Sequence, residues 1–199
     1  MNKPMFKPEI VVFAGPNGSG KSTITDLLKP TYDYVNADEI KKHLKCSDIE
    51  AAQLAEEHRE KLLREKKNFA FETVLSTERN LNLLKKAKEQ GYFIKCFYIL
   101  TADPIINVAR VKLRVLTGGH DVPEEKIVTR YDRALKLIPD LLSVCDICSI
   151  YDNSSDEPYR IFKKRKNEYF YDDRSLFWNK KDITFLTKIE DAEFKDLNR

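Results

Sequence analysis

The residues most suggestive of chemistry stand together at 15–22, GPNGSGKS. Gly15, Gly20, Lys21 and Ser22 complete the spacing G-x-x-x-x-G-K-S, with Pro16, Asn17, Gly18 and Ser19 between them. An apolar run, EIVVFAG, leads into this stretch, and a helical pattern from Lys21 through Thr23 to Leu28 leads out of it. In that setting the glycines let successive N–H groups turn inward onto one anion, and the helix N-terminus adds partial positive charge. Lys21 is then placed to reach the terminal phosphates, and the Ser22 hydroxyl to meet Mg²⁺. The pattern predicts a nucleoside triphosphate site over Gly15–Thr23, with Ser22 as the metal contact.

What becomes of the terminal phosphate depends on the acceptor. The Asn-Lys-x-Asp spacing that can read guanine occurs at Asn179–Asp182, but in the C-terminal tail, beyond the alternating strands and helices, and the chain reads as a kinase before a GTPase switch. A kinase needs a carboxylate near an acceptor hydroxyl and cations over the transferring group. Asp38 follows a strand pattern, in the first turn of a helix that Asn36 would cap, and can serve as base or merely offset the helix dipole. Glu72 ends another apolar strand, where burial demands a partner: a substrate hydroxyl, a metal-bound water or a nearby cation. Asn36, Asp38, Glu72 and Thr73 are the expected acceptor-side residues. Arg110 and Arg114 lie one turn apart before the loop TGGHDVP, and Lys126, Arg130 and Arg133 share a stripe after it. These two helices read either as a cationic lid closing over phosphates or as solvated surface. His120, between glycines and Asp121, reads as a loop-fixing residue.

The elements that must carry these groups alternate. Strand patterns occur at 9–15, 32–35, 69–75, 92–100 and 147–153, most of them continuous apolar runs suited to a sheet buried on both faces. Helices are expected from Lys21 to Leu28, after Asn36, from a Ser47/Glu50 capping box to about Lys67, over 77–90, from Asp103-Pro104 to about Leu116, and as one helix from Pro123 to Cys145. This predicts an α/β fold: a parallel sheet of about five strands with helices on both sides and a ligand site at the strands' carboxyl ends. A core over 9–154 is expected, then a C-terminal β-hairpin and tail over 155–199, within one domain.

Composition bounds the function classes. With 199 residues, 42% hydrophobic and 34% charged, the chain reads as one globular domain. No apolar run approaches the roughly 18 residues of a membrane helix, and the N-terminus lacks an apolar signal core, so no membrane partner and a cytoplasmic location are expected. A net charge of +3 does not argue for nucleic acid. The basic–aromatic run at 160–181 reads as a solvated hairpin or a nucleic-acid platform. Cys145 and Cys148 have the spacing of a redox or zinc motif, but no second Cys or His pair accompanies them, and burial is the expected state.

Taken in order, AGPNGSGKST, VNADEI, FETVLS, R-V-x-x-R-V-x-x-GGHDVP, I-V-x-R-Y and YDNS resemble the zeta toxin family of P-loop kinases, over residues 14–154. The resemblance implies a three-layer fold of the nucleotide-kinase type with a helical lid, and an ATP- and Mg²⁺-dependent transfer to a hydroxyl of UDP-N-acetylglucosamine. It implies Asp38 as general base, Lys21 as phosphate clamp, and Glu72 as a substrate-site carboxylate. Arg110, Arg114 and Arg130 would be lid contacts, Asn153 in YDNS would lie near the adenine, and a small antitoxin protein is an implied partner. The chain departs from the family's Glu-Gly-Thr-x-Arg segment, reading Glu72-Thr73-Val74-Leu75-Ser76. Alternatives of other classes are a polynucleotide end kinase or other nucleic-acid-binding P-loop protein, and a nucleotide-binding interaction module.

Overall fold

The computed structural model describes residues 7–28, 30–172, 174–190 and 193–197. Its centre is β1 (Glu9–Ala14), an apolar strand buried along nearly its whole length. Ile10 and Val12 face the larger core. Val11 and Phe13 face a second cluster with Ile24, Ala70, Phe97 and Ile99. Both faces of β1 are therefore dry, which explains why its sequence is apolar throughout instead of alternating. The Phe13 and Phe97 rings stack with centroids 5.4 Å apart.

From β1 the chain enters α1 (Lys21–Leu28), β2 (Asp33–Val35), α2 (Ala37–Leu44), α3 (Asp48–Arg64), β3 (Phe69–Thr73), α4 (Glu78–Glu89), β4 (Phe93–Leu100) and α5 (Pro104–Leu116). Next come α6 (Glu124–Lys136), α7 (Ile138–Val144), β5 (Ile147–Asp152), β6 (Tyr159–Arg165), β7 (Glu168–Tyr171), α8 (Lys180–Thr187) and β8 (Phe194–Asp196). Strand order across the sheet is β2-β3-β1-β4-β5-β6-β7-β8. The first five run parallel, and the chain loop leaving β1 opens where its two neighbours, β3 and β4, diverge in sequence. That is the crevice in which open α/β sheets hold ligands.

Local signals set the helix ends. Asn36 caps α2 by accepting the Asp38 N–H at 2.8 Å, and Ser47 and Glu50 form a reciprocal box at the start of α3. Asp103 caps α5, with Pro104 in its first turn. The helix expected from Pro123 to Cys145 is instead two, α6 and α7, meeting at Leu137. Pro139 explains the break: it offers no N–H to Leu135, and its ring would crowd that carbonyl.

The C-terminal hairpin is not an appendage beside a five-stranded sheet, as the sequence suggests, but its continuation. β6 pairs antiparallel with β5, β7 antiparallel with β6, and β8 parallel with β7, giving a mixed sheet of eight strands. Phe162, Tyr171 and Trp178 join the main core, and Lys164 is buried with its ammonium donating to the Leu142 carbonyl. Three of the six aromatic side chains that could have stacked on nucleic-acid bases are thus interior, and Phe177 is exposed. Cys96, Cys145 and Cys148 are buried as free thiols, as expected.

Because Phe162 belongs to the same core as β1, Phe162→Ala is expected to cost about 3–5 kcal/mol and to lower one cooperative unfolding transition. Urea denaturation followed by tryptophan fluorescence and far-UV dichroism checks this. Two separate transitions would contradict a single core.

Candidate functional site

The loop between β1 and α1 takes its shape from glycines where no other residue fits. Gly18 and Gly20 adopt φ of +78° and +90°, and a Cβ on Gly20 would lie 2.1 Å from Asn153 Nδ2. On Gly18 it would lie 2.5 Å from the Asn107 carbonyl oxygen. Two amides brace the loop from behind: Asn107 Nδ2 donates to the Asn17 carbonyl and Asn153 Nδ2 to the Ser19 carbonyl, each at 2.8 Å. Asn153 thus touches the phosphate loop itself. Asn107 escaped sequence reasoning, although a polar residue on the buried stripe of an apolar helix, PIINVARV, is the signal that could have found it.

In front of the loop lies a cleft of about 580 Å³. Asn17, Gly18, Gly20, Lys21, Ser22, Asn36, Asp38, Glu72 and Thr73 line it, together with Arg110, Arg114 and Arg130. Gly15, Pro16, Ser19, Thr23 and Asn153 lie outside its lining. Of the stripe Lys126, Arg130 and Arg133, only Arg130 reaches the cleft. Ala51, Ala52 and Val74 give the wall an apolar patch.

Lys21 is only 8% exposed, with its ammonium donating to the Pro16 carbonyl at 3.0 Å and lying 3.9 Å from a Glu72 carboxylate oxygen. Burial lowers its pKa below the ordinary lysine value, against which the charges of Glu72 and Asp38 work. Glu72 is held in turn. The Tyr34 hydroxyl donates to its other oxygen at 3.0 Å, and Asn36 Nδ2 donates to the Tyr34 oxygen at 3.1 Å. Burial, and then the Glu72 charge, push the Tyr34 phenol well above its ordinary value, so it remains a donor. Tyr34 was invisible as a site residue because it sits in a short strand. Only the parallel pairing of β2 with β3, which sets Tyr34 opposite Ala70, puts it on the face of Glu72.

The three arginines are anchored differently. Arg110 donates to the Asn153 carbonyl at 2.7 Å, Arg114 to the His120 carbonyl at 2.6 Å, and Arg130 to the Asn17 side chain at 3.4 Å. His120 accordingly serves the loop through its backbone. Among the described residues no group of three or more His, Cys, Asp and Glu could hold a metal ion. A metal here would depend on the exposed Ser22 hydroxyl, phosphate oxygens and water, which is the sparse oxygen set that Mg²⁺ accepts. The residues present fit MgATP in this sense.

Gly20→Ala, which combines an unfavourable φ with a clash against Asn153, is expected to weaken binding of an ATP analogue about tenfold or more. Asn153→Ala, which removes one brace, is expected to weaken it about fivefold. Calorimetric titration of both variants checks this. Undiminished affinity in Gly20→Ala would show that the loop does not hold the nucleotide.

Comparison with known proteins bears on the family and the fold. The family described as Zeta toxin matches residues 2–172. An uncharacterised protein of Haemophilus influenzae is 31% identical over 133 residues, which are 64% of this chain and 95% of that protein. Among solved structures, one from the PezAT chromosomal toxin–antitoxin system of Streptococcus pneumoniae superposes with a TM-score of 0.56 at 17% identity, covering 81% of this chain and 73% of that one. The AvrRxo1-ORF1:-ORF2 complex with ATP gives a TM-score of 0.68 at 16% identity, over 92% of this chain but only 64% of the other. At such identities the structural likeness is one of fold. The family match covers most of the sequence, and by it the chain belongs to the zeta toxin family, built on the P-loop kinase-like α/β fold.

Proposed function

We propose that the protein is a MgATP-dependent kinase that transfers the terminal phosphoryl group of ATP to a hydroxyl of a small acceptor. The observation that carries this reading is that Lys21, Asp38, Glu72 and the three arginines face one cleft. A phosphate-binding loop alone would suit any nucleotide-binding protein. A carboxylate and a cationic helix pair across the same space suit phosphoryl transfer.

The division of labour follows from placement. The inward-turned loop amides and Lys21 hold the phosphate tail, and Ser22 contributes its hydroxyl to the metal. The metal, when bound, neutralises charge on the phosphate oxygens. Asp38 lies in the first turn of α2 and is exposed to the cleft, where it orients the acceptor hydroxyl and takes its proton. Glu72, fixed by Tyr34, holds a second polar group of the acceptor while tempering the Lys21 charge. Arg110, Arg114 and Arg130 offset the charge spread over the transferring group.

The acceptor class that the family favours is a nucleotide sugar such as UDP-N-acetylglucosamine, and the apolar patch of Ala51, Ala52 and Val74 would pack its non-reacting part. Val74 and Ser76 replace a hydrogen-bonding threonine and a bidentate arginine of the family pattern, so the acceptor is gripped differently here. A small antitoxin partner belongs to the same reading, supported by the description of the PezAT relative as part of a toxin–antitoxin system. No helix among the described residues is long and apolar enough to cross a membrane.

The test uses labelled ATP with a panel of sugar nucleotides, nucleosides and oligonucleotides. Label is expected on a small hydroxyl-bearing compound. Asp38→Asn is expected to bind an ATP analogue within a few-fold of the parent and to lose at least about a hundredfold in transfer. Full activity in that variant would remove Asp38 from the mechanism, and label confined to oligonucleotides would favour an end kinase.

A further inference from the structure

Away from the cleft, one buried guanidinium stands near carboxylates without forming an ion pair with them among the described residues. Arg59, on the inward face of α3, is 6% exposed, and its guanidinium lies 5.2 Å from the centre of the Phe71 ring. Its Nε is enclosed with no hydrogen-bond partner. The neighbouring carboxylates are already engaged: Glu56 pairs with Arg79 at 3.2 Å and Glu60 with Lys86 at 2.7 Å. These side chains and Asn80 surround a pocket of about 300 Å³ between α3 and α4, into which Arg59 faces. With three cations and two carboxylates, the pocket carries a surplus positive charge, and that surplus is the buried one.

A packing role does not account for this. The stem of Arg59 covers apolar surface and its head sits over an aromatic ring, both of which contribute modestly. A methionine would pack as well without a buried charge, and Glu56 and Glu60, each paired with another cation, offset the Arg59 charge only in part. Burial, and then the Arg79 charge, lower the Arg59 pKa, against which the charges of Glu56 and Glu60 work. The planar guanidinium fork matches oxygen pairs on carboxylates and phosphates, and Arg79 and Lys86 stand at the rim, exposed enough to exchange Glu56 and Glu60 for an incoming anion.

We propose that this pocket is a binding site for a small oxyanion, a carboxylate or phosphate group, held by Arg59 from below and by Arg79 and Lys86 from the rim. It is distinct from the nucleotide cleft and shares no lining residue with it. One strut joins the two: Asn80 Nδ2 donates at 2.8 Å to the Thr73 hydroxyl on the cleft wall. The proposal does not depend on the kinase reading.

Thermal unfolding of the full chain tests it, with inorganic phosphate and acetate as separate probes against chloride at matched ionic strength. The phosphate loop contributes equally to parent and Arg59→Met, so the difference between them reports the pocket. At ten times the dissociation constant of at least one probe, the parent is expected to gain about 3–5 °C more than Arg59→Met. Whichever probe produces the gain names the ligand group. In chloride alone Arg59→Met should unfold at or above the parent midpoint. Equal gains with both probes in parent and variant would overturn the proposal, as would a variant that is less stable in chloride yet responds fully to phosphate. Should Arg59→Met fail to fold, Arg79→Gln, at a side chain 63% exposed, is expected to lose at least half the response, and an unchanged response there would also overturn it.

Discussion

An ammonium group held nearly out of water is the constraint around which this molecule is arranged. In the kinase reading proposed above Lys21 must remain cationic to meet a phosphate tail, yet burial opposes its charge. The structure supplies just enough compensation: a carbonyl of the loop itself, and a carboxylate of β3 held 3.9 Å away. A closer, fully formed ion pair would compete with the phosphate for the lysine. Tyr34 occupies the other oxygen of Glu72 and keeps that carboxylate from turning wholly onto Lys21. The charge is therefore stabilised but still available, which is the state that a binding site requires before its ligand arrives.

The same economy appears in α5. Asn107, Arg110 and Arg114 share one stripe of the helix, at i, i+3 and i+7: Asn107, buried, braces the phosphate loop at Asn17, and the two arginines reach the cleft lining. Arg110 also clasps the backbone of Asn153, whose side chain braces the loop at Ser19. Loop, lid helix and the end of β5 are thus one hydrogen-bonded unit. A displacement of α5 would move two cleft arginines and one brace of the loop together.

Beyond the site, the sheet continues where the sequence pattern suggests it might stop. β6 and β7 extend it antiparallel to β5, and α8 packs near α7 over the extension, burying Ile183 and Leu186 in the shared core. This buttress lies at the opposite end of the sheet from the short edge strand β2, the end at which residues of α2 and α3 line the cleft.

Much was decided locally and could be read locally. The phosphate loop needs positive φ at Gly18 and Gly20 and a lysine at a helix start, and those demands are written in adjacent residues. The parallel strands announce themselves as continuous apolar runs, and the caps at Asn36, Ser47 and Asp103 as short polar signals. Pro139 was legible too, as a helix breaker that periodicity alone overlooked. What the sequence could not decide is whatever depends on register between distant segments. Tyr34 meets Glu72 because β2 lies beside β3, Asn107 and Asn153 meet the loop across 90 and 134 residues of chain, and the aromatics of the C-terminal hairpin turn inward because their strands join an existing sheet. Side-chain type sets what a residue can do. Which groups it does it with is settled by long-range packing, whose energy is spread over many weak contacts and leaves no short-range mark.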